Sequence, residues 1–226
     1  MSLMENIQQV KQKIKKACEI SQRNENEIKM IAVTKYVDIE QTREILELGI
    51  QHIGENRVQH ALPKYEALSS MGVWHFIGHL QTNKVKQVIG KFDYIHSLDR
   101  LSLAEAIDKR AKQLQTKVKC FIQVNISGEE SKGGVNPAEL IDFCKSIRQY
   151  DSIQVIGFMT MAPNIKNQDL IRSVFRGLRE WRDQINQEKI FSEPLEELSM
   201  GMSNDFEIAI EEGATFIRLG TVLFKN

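Results

Sequence analysis

The sequence predicts an α/β protein: a single (β/α)8 barrel of the TIM type, spanning residues 1–226 as one domain, with an extra helix ahead of its first strand. Three observations predict it. Eight short apolar runs alternate with amphipathic stretches, the rhythm of a parallel sheet wound by helices. Several runs are apolar almost throughout, as strands covered on both faces should be. None looks like a charged edge, which favours a sheet closed on itself. A doubly wound open sheet is the alternative. It would want a glycine-rich turn after the first strand, whereas Lys35 is followed by Tyr-Val-Asp-Ile-Glu.

The elements follow in order. In MSLMENIQQVKQKIKKACEI, Ile7, Val10, Ile14 and Ala17 recur at helical spacing. This stretch lacks the apolar core of a signal peptide and is expected to cover one end or flank of the barrel. KMIAVTK (29–35) is the first strand, followed by a helix over 38–48. QHIGEN (51–56) leads to a helix over 56–68, WHFIG (74–78) to one over 80–90, and DYIHSL (93–98) to one over 100–115. VKCFIQVNI (118–126) precedes a helix over 136–149, and IQVIGFMTM (153–161) one over 167–189. LEELSMG (195–201) opens into a helix over 203–212, and TFIRLG (215–220) completes the set. In helix 203–212, Ser203 or Asn204 can cap the free N–H groups. Asp205 and Glu207 suit its positive end, and Gly213 can stop it.

Composition narrows the function. Lys plus Arg and Asp plus Glu number 30 each, a balance that argues against a dedicated nucleic-acid binder. The longest apolar runs, such as 155–161, fall far short of the ~20 residues of a membrane span. Cys18, Cys120 and Cys144 form an odd, scattered set without a CxxC pair, which fits reduced thiols in the cytoplasm.

In a barrel of this kind the chemistry sits at the C-terminal ends of the strands. There Lys35 ends the first strand. An amine in a barrel mouth loses hydration, which favours its neutral, nucleophilic form. Taken alone, such a lysine is more often one that snorkels to solvent. The last two barrel units change the balance. In SMGMSND, Gly201 lets backbone approach a ligand, Ser203 offers a hydroxyl, and a helix start supplies free N–H groups. In RLGT, Gly220 and Thr221 offer backbone N–H groups and a hydroxyl, and Arg218 a fixed charge. Loops after strands seven and eight commonly bind phosphate. An aldehyde that carries a phosphate would be held at both ends. Pyridoxal phosphate fits, and so does the sugar phosphate of an aldolase; the residues alone do not choose.

The runs AVTK, GEN (54–56), WHFIGHLQTNK (74–84), SKGG (131–134), GFMTM (157–161), LSMGMSND (198–205) and IRLGT (217–221) follow one another along nearly the whole chain. Together they resemble the YggS/PROSC family of pyridoxal-phosphate homeostasis proteins. That resemblance implies a fold-type III barrel, like the barrel domain of alanine racemase without its second domain. It implies pyridoxal 5′-phosphate bound covalently as a Schiff base on Lys35. Ser203, Gly220 and Thr221 would hold the phosphate, and Arg218 would face the pyridine nitrogen. An arginine there leaves the ring a weaker electron sink than a carboxylate would. Asn56 and His75 would be pocket wall, and Met159 and Met202 would pack near the ring. The family's implied task is to keep a reactive aldehyde at safe levels and available to cofactor-dependent acceptor enzymes, met transiently. His79 stands where some relatives have proline, and Lys225 lies where relatives usually have a glycine and a short tail.

Racemisation would need a second acid/base group opposite Lys35. In the racemases this is a tyrosine from another domain, for which the chain is too short. Tyr36, Tyr65, Tyr94 and Tyr150 fall outside the pocket motifs. A cofactor carrier, not an enzyme, is therefore expected, with a racemase and an aldolase-type barrel as alternatives. The lack of a second domain and of a dimer element predicts a monomer. No metal site is expected: His75 and His79 are four apart, but the first lies on a strand and HExxH is missing. SKGG lacks the P-loop order and marks a mobile loop near the barrel mouth. Lys11, Lys13, Lys15 and Lys16 are most simply a solvated helix face, with a docking surface for acceptor enzymes as the alternative.

Overall fold

A computed structural model describes residues 2–129 and 132–224. Ser131 of the SKGG run and Lys225 lie outside them. The eight strands close into one parallel barrel in sequence order, the β8–β1 pair completing the circle. The strands are β1 (Lys29–Val33), β2 (His52–Glu55), β3 (Val73–Phe76), β4 (Tyr94–Leu98), β5 (Val118–Gln123), β6 (Ile153–Met159), β7 (Glu197–Met202) and β8 (Phe216–Leu219).

The helices between them are α2 (Ile39–Glu47), α3 (Val58–Leu68), α4 (Val85–Val88), α5 (Leu101–Gln113), α6 (Leu140–Ile147), α7 (Gln168–Gln187) and α8 (Phe206–Glu211). They bury their apolar faces against the outside of the barrel in one continuous core. A smaller core fills the barrel itself, where Ile31, Phe121, Met159 and Phe216 meet. The extra helix α1 (Leu3–Ile20) lies on the flank, packed against α8 and the last helix α9 (Thr221–Phe224). It starts on a capping box between Ser2 and Glu5. No helix among the described residues is long and apolar enough to cross a membrane.

Three expectations change. The expected helix over 80–90 is a 3-10 turn at Thr82–Lys84 followed by the single turn α4. The helix over 136–149 begins as a 3-10 turn at Pro137–Glu139, with α6 after it. The helix over 203–212 starts later, with Asp205 rather than Ser203 or Asn204 as its N-cap. The Asp205 carboxylate accepts the Met202 N–H at 2.5 Å, which folds residues 202–205 into a turn before α8 can begin.

Candidate functional site

Most strands stop short of their expected C-terminal ends, and the residues released there line a cavity of about 830 Å³ at that end of the barrel. Lys35 shows how. β1 stops at Val33 because the Thr34 carbonyl oxygen is taken by the Val37 N–H, at 3.1 Å, and the Lys64 ammonium, at 2.5 Å. The result is a turn with Lys35 and Tyr36 at its centre. Lys35 is half-buried on the cavity wall, its amine 4.8 Å from the centre of the exposed Tyr36 ring.

Behind that turn is a buried ion pair. Lys64 of α3 reaches Glu55 Oε1 at 2.7 Å, and the Thr34 hydroxyl donates to the same oxygen at 2.6 Å. Thr34 and Glu55 are wholly buried. The ends of β2 and β3 approach closely here: a Cβ on Gly78 would lie 2.1 Å from the Asn56 carbonyl oxygen, so only glycine fits beside Asn56.

The opposite side of the Lys35 seam is built by β7 and β8. The Ser203 hydroxyl oxygen accepts the backbone N–H groups of Gly220 and Val222, both at 3.3 Å. Two backbone donors thus converge on one point at the start of α9, the arrangement that receives an oxyanion. Gly201, near the end of β7, has φ +91°, and a Cβ there would come within 2.6 Å of Ala209 Cβ. Met202, Ser203, Gly220 and Thr221 all line the cavity, as do Asn56 and Lys35.

Arg218 lines it too, and is 5% exposed. Its guanidinium donates to Ser199 Oγ at 2.6 Å and to the Thr160 carbonyl oxygen at 2.9 Å. Burial lowers its pKa to about 10, against the opposing pull of Asp205, so it stays a cation at neutral pH. Burial raises the Asp205 carboxyl above its ordinary value, although the Met202 N–H and the Arg218 charge oppose this.

Two residues expected in the pocket, His75 as wall and Met159 near the ring, do not line the cavity. His75 is wholly buried inside the barrel, bonded to His52 and His96 and stacked on Tyr94 with ring centres 4.5 Å apart. Met159 is in the interior core, and Met161, two residues on, takes its place at the cavity. The stagger of a closed barrel puts each of them a layer too deep. Residues not singled out also line the cavity, among them Gln123, Asp99, Asn164 and Phe224. The glycine run after β5 carries a further one. Lys132 lines the cavity, pairs with Glu129, and is fastened by the Gln123 side chain to its carbonyl oxygen at 2.8 Å. The described part of SKGG is thus docked on the mouth. Tyr94 is in the barrel interior, whereas Tyr65 packs outside it on Trp74 and Phe92. Among the described residues no group of His, Cys, Asp and Glu is arranged to hold a metal ion.

Lys35, the Ser203–Gly220 pair and the buried Arg218 therefore line one cavity. The family model described as "Alanine racemase, N-terminal domain" matches residues 2–226. The chain belongs to the alanine racemase N-terminal-domain family. Within this family the chain is 47% identical over 225 residues to a protein of Aquifex aeolicus named pyridoxal phosphate homeostasis protein, covering 99% of this chain and 98% of that one. Among solved structures it is similar to PipY of Synechococcus elongatus with PLP bound: TM-score 0.86, 32% identity, 99% of this chain and 100% of that one. An alanine racemase of Clostridium difficile shares the family fold at TM-score 0.80 and 13% identity; all of this chain aligns with 56% of the racemase.

Proposed function

We propose that the protein binds pyridoxal 5′-phosphate as a Schiff base on Lys35 and takes part in intracellular homeostasis of that cofactor, residues 1–226 acting as one cofactor-binding domain. The observation that carries this reading is that Lys35, Arg218 and the Ser203 and Gly220 members of the Ser203–Gly220–Val222 cradle line the same cavity. The residues fit the group. Convergent N–H donors suit a phosphate, the amine suits its aldehyde, and Arg218, a donor that accepts nothing, suits an unprotonated ring nitrogen. Thr221 adds a hydroxyl beside the phosphate, and Asn56 and Met202 complete the walls. Bound in this way, the cofactor supplies an electron sink, one that an arginine partner keeps weak.

Storage and supply fit this site better than turnover. A racemase needs a second acid/base group facing Lys35 across the substrate. Tyr36, the tyrosine at the mouth, packs its ring on the Lys35 amine and so occupies the same side. We place the role in the cytoplasm, where the buried thiols of Cys18, Cys120 and Cys144 stay reduced, with a monomer delivering the cofactor in transient contacts with acceptor enzymes.

Reconstitution with pyridoxal phosphate tests the reading. Wild-type protein should gain a visible absorption band and, after borohydride, a stable adduct mapped to Lys35. Lys35→Ala should gain neither. A colourless wild-type protein, or an adduct on another lysine, would overturn it. Amino-acid turnover at about 1 per second or faster would make the protein an enzyme instead.

A further inference from the structure

Arg218 does not stop at Ser199. The Ser199 hydroxyl lies 2.9 Å from His96 Nδ1, His96 Nε2 lies 2.9 Å from His75 Nδ1, and His75 Nε2 lies 2.8 Å from His52 Nδ1. Ser199, His96 and His75 are wholly buried, while His52, at the start of β2, is only half-buried. One unbroken chain thus crosses the barrel from the cavity floor to the opposite face, through β8, β7, β4, β3 and β2.

The direction of every hydrogen in it follows from its first member. A guanidinium only donates, so Ser199 Oγ accepts from Arg218. The single Ser199 hydrogen must then find an acceptor, because a buried donor left unmade is costly. His96 Nδ1 is the partner it has among the described residues. His96 therefore carries its proton on Nε2 and donates to His75 Nδ1. By the same step His75 carries its proton on Nε2 and donates to His52 Nδ1. A neutral ring has one N–H, and each is now assigned. Burial, which holds His75 and His96 well below their ordinary range, keeps both rings neutral.

We propose that Ser199, His96, His75 and His52 are positioning residues for Arg218, forming a proton-ordered chain whose polarity the guanidinium sets. All hydrogens point away from Arg218, so the chain offers its acceptor end to a buried cation. It fixes the guanidinium at the cavity floor through Ser199, and leaves the face towards the cavity for a ligand. This inference rests on the cofactor reading for what Arg218 contacts, but not for the order of the chain.

The test is therefore made first on protein without cofactor. In 15N-histidine-labelled wild type, His75 and His96 should both be neutral Nε2–H tautomers. An Nδ1–H tautomer or an imidazolium at either position would overturn the proposal. His52→Ala, at the half-buried end, should leave both tautomers unchanged; a shift to mixed tautomers would mean that the far end sets the polarity, against the proposal. Ser199→Ala should give mixed tautomers at His96 and weaken pyridoxal phosphate and phosphate-free pyridoxal alike, each about tenfold, with a displaced absorption band. Ser199→Thr should restore both. Unaltered His96 signals in Ser199→Ala would refute the chain whatever the cofactor does.

Discussion

The Lys64 ammonium donates to the Thr34 carbonyl oxygen, one peptide bond ahead of Lys35. The same ammonium pairs with Glu55, which has one further buried oxygen, Oε2, without a hydrogen-bond partner among the described residues. Lys35 is thus presented by a second lysine, one that does not itself line the cavity. Lys64→Met strands a buried carboxylate and should cost about 3–5 kcal/mol of folding stability. Replacing both partners, with Glu55→Leu added, should recover most of that loss. Urea denaturation of the two variants checks this, and equal losses in both would count against the clamp.

Ser203 gives a prediction about ligand chemistry. Its hydroxyl organises the Gly220 and Val222 N–H groups and should contact the phosphate but not the ring. Ser203→Ala should weaken pyridoxal phosphate by about 1 kcal/mol, or roughly fivefold. The affinity for pyridoxal should not change. Titrations of both ligands on both proteins decide it; equal weakening of the two would place the phosphate elsewhere.

Gly201 combines a left-handed φ of +91° with direct packing on α8. Gly201→Ala incurs backbone strain and a clash with Ala209 and Phe206 together. A loss of at least about 1–3 kcal/mol is expected. It would appear as a lower urea midpoint with an unchanged slope.

The histidine chain makes stability depend on pH. Burial holds His75 and His96 well below 6.5, and His52 below it to a lesser degree. In the unfolded chain these rings take up protons as the pH falls through about 6.5; in the folded protein they do not. Their contribution is therefore complete above that value and is lost on acidification. The two wholly buried rings should give a slope approaching roughly 2.7 kcal/mol per pH unit once the pH is well below 6.5. Unfolding free energies measured from about pH 7 to about pH 5 should fall steeply, and a flat profile would contradict the burial of neutral rings.

How much of this the sequence reveals depends on the range of the interaction. Strand order is legible because each apolar run and most of the helices announce themselves locally, as Ile31-Ala32-Val33 and the Leu103–Ile107 face do. The nearness of Ser203 to Gly220 is legible for the same reason: they sit in short turns at adjacent barrel positions. Depth within the barrel was not. His75 and Asn56 both look like strand-end residues, and only the stagger of neighbouring strands separates a buried ring from a cavity wall. Met159 and Met161 share a face and differ only in depth. Lys64 was hidden for another reason. It reads as one more polar residue of an amphipathic helix until the fold brings Glu55 to it.

The two ends of the described chain meet beside the Ser203 turn. Asn6 of α1 donates to the Leu223 carbonyl oxygen at 2.8 Å, and the helix bearing Leu223 is pinned through Val222 to Ser203. That helix follows the strand whose pairing with β1 closes the circle. A phosphate seated there would staple the seam of the barrel, drawing first and last helices into one latch. Loading such a ligand and locking the ends would then be one event.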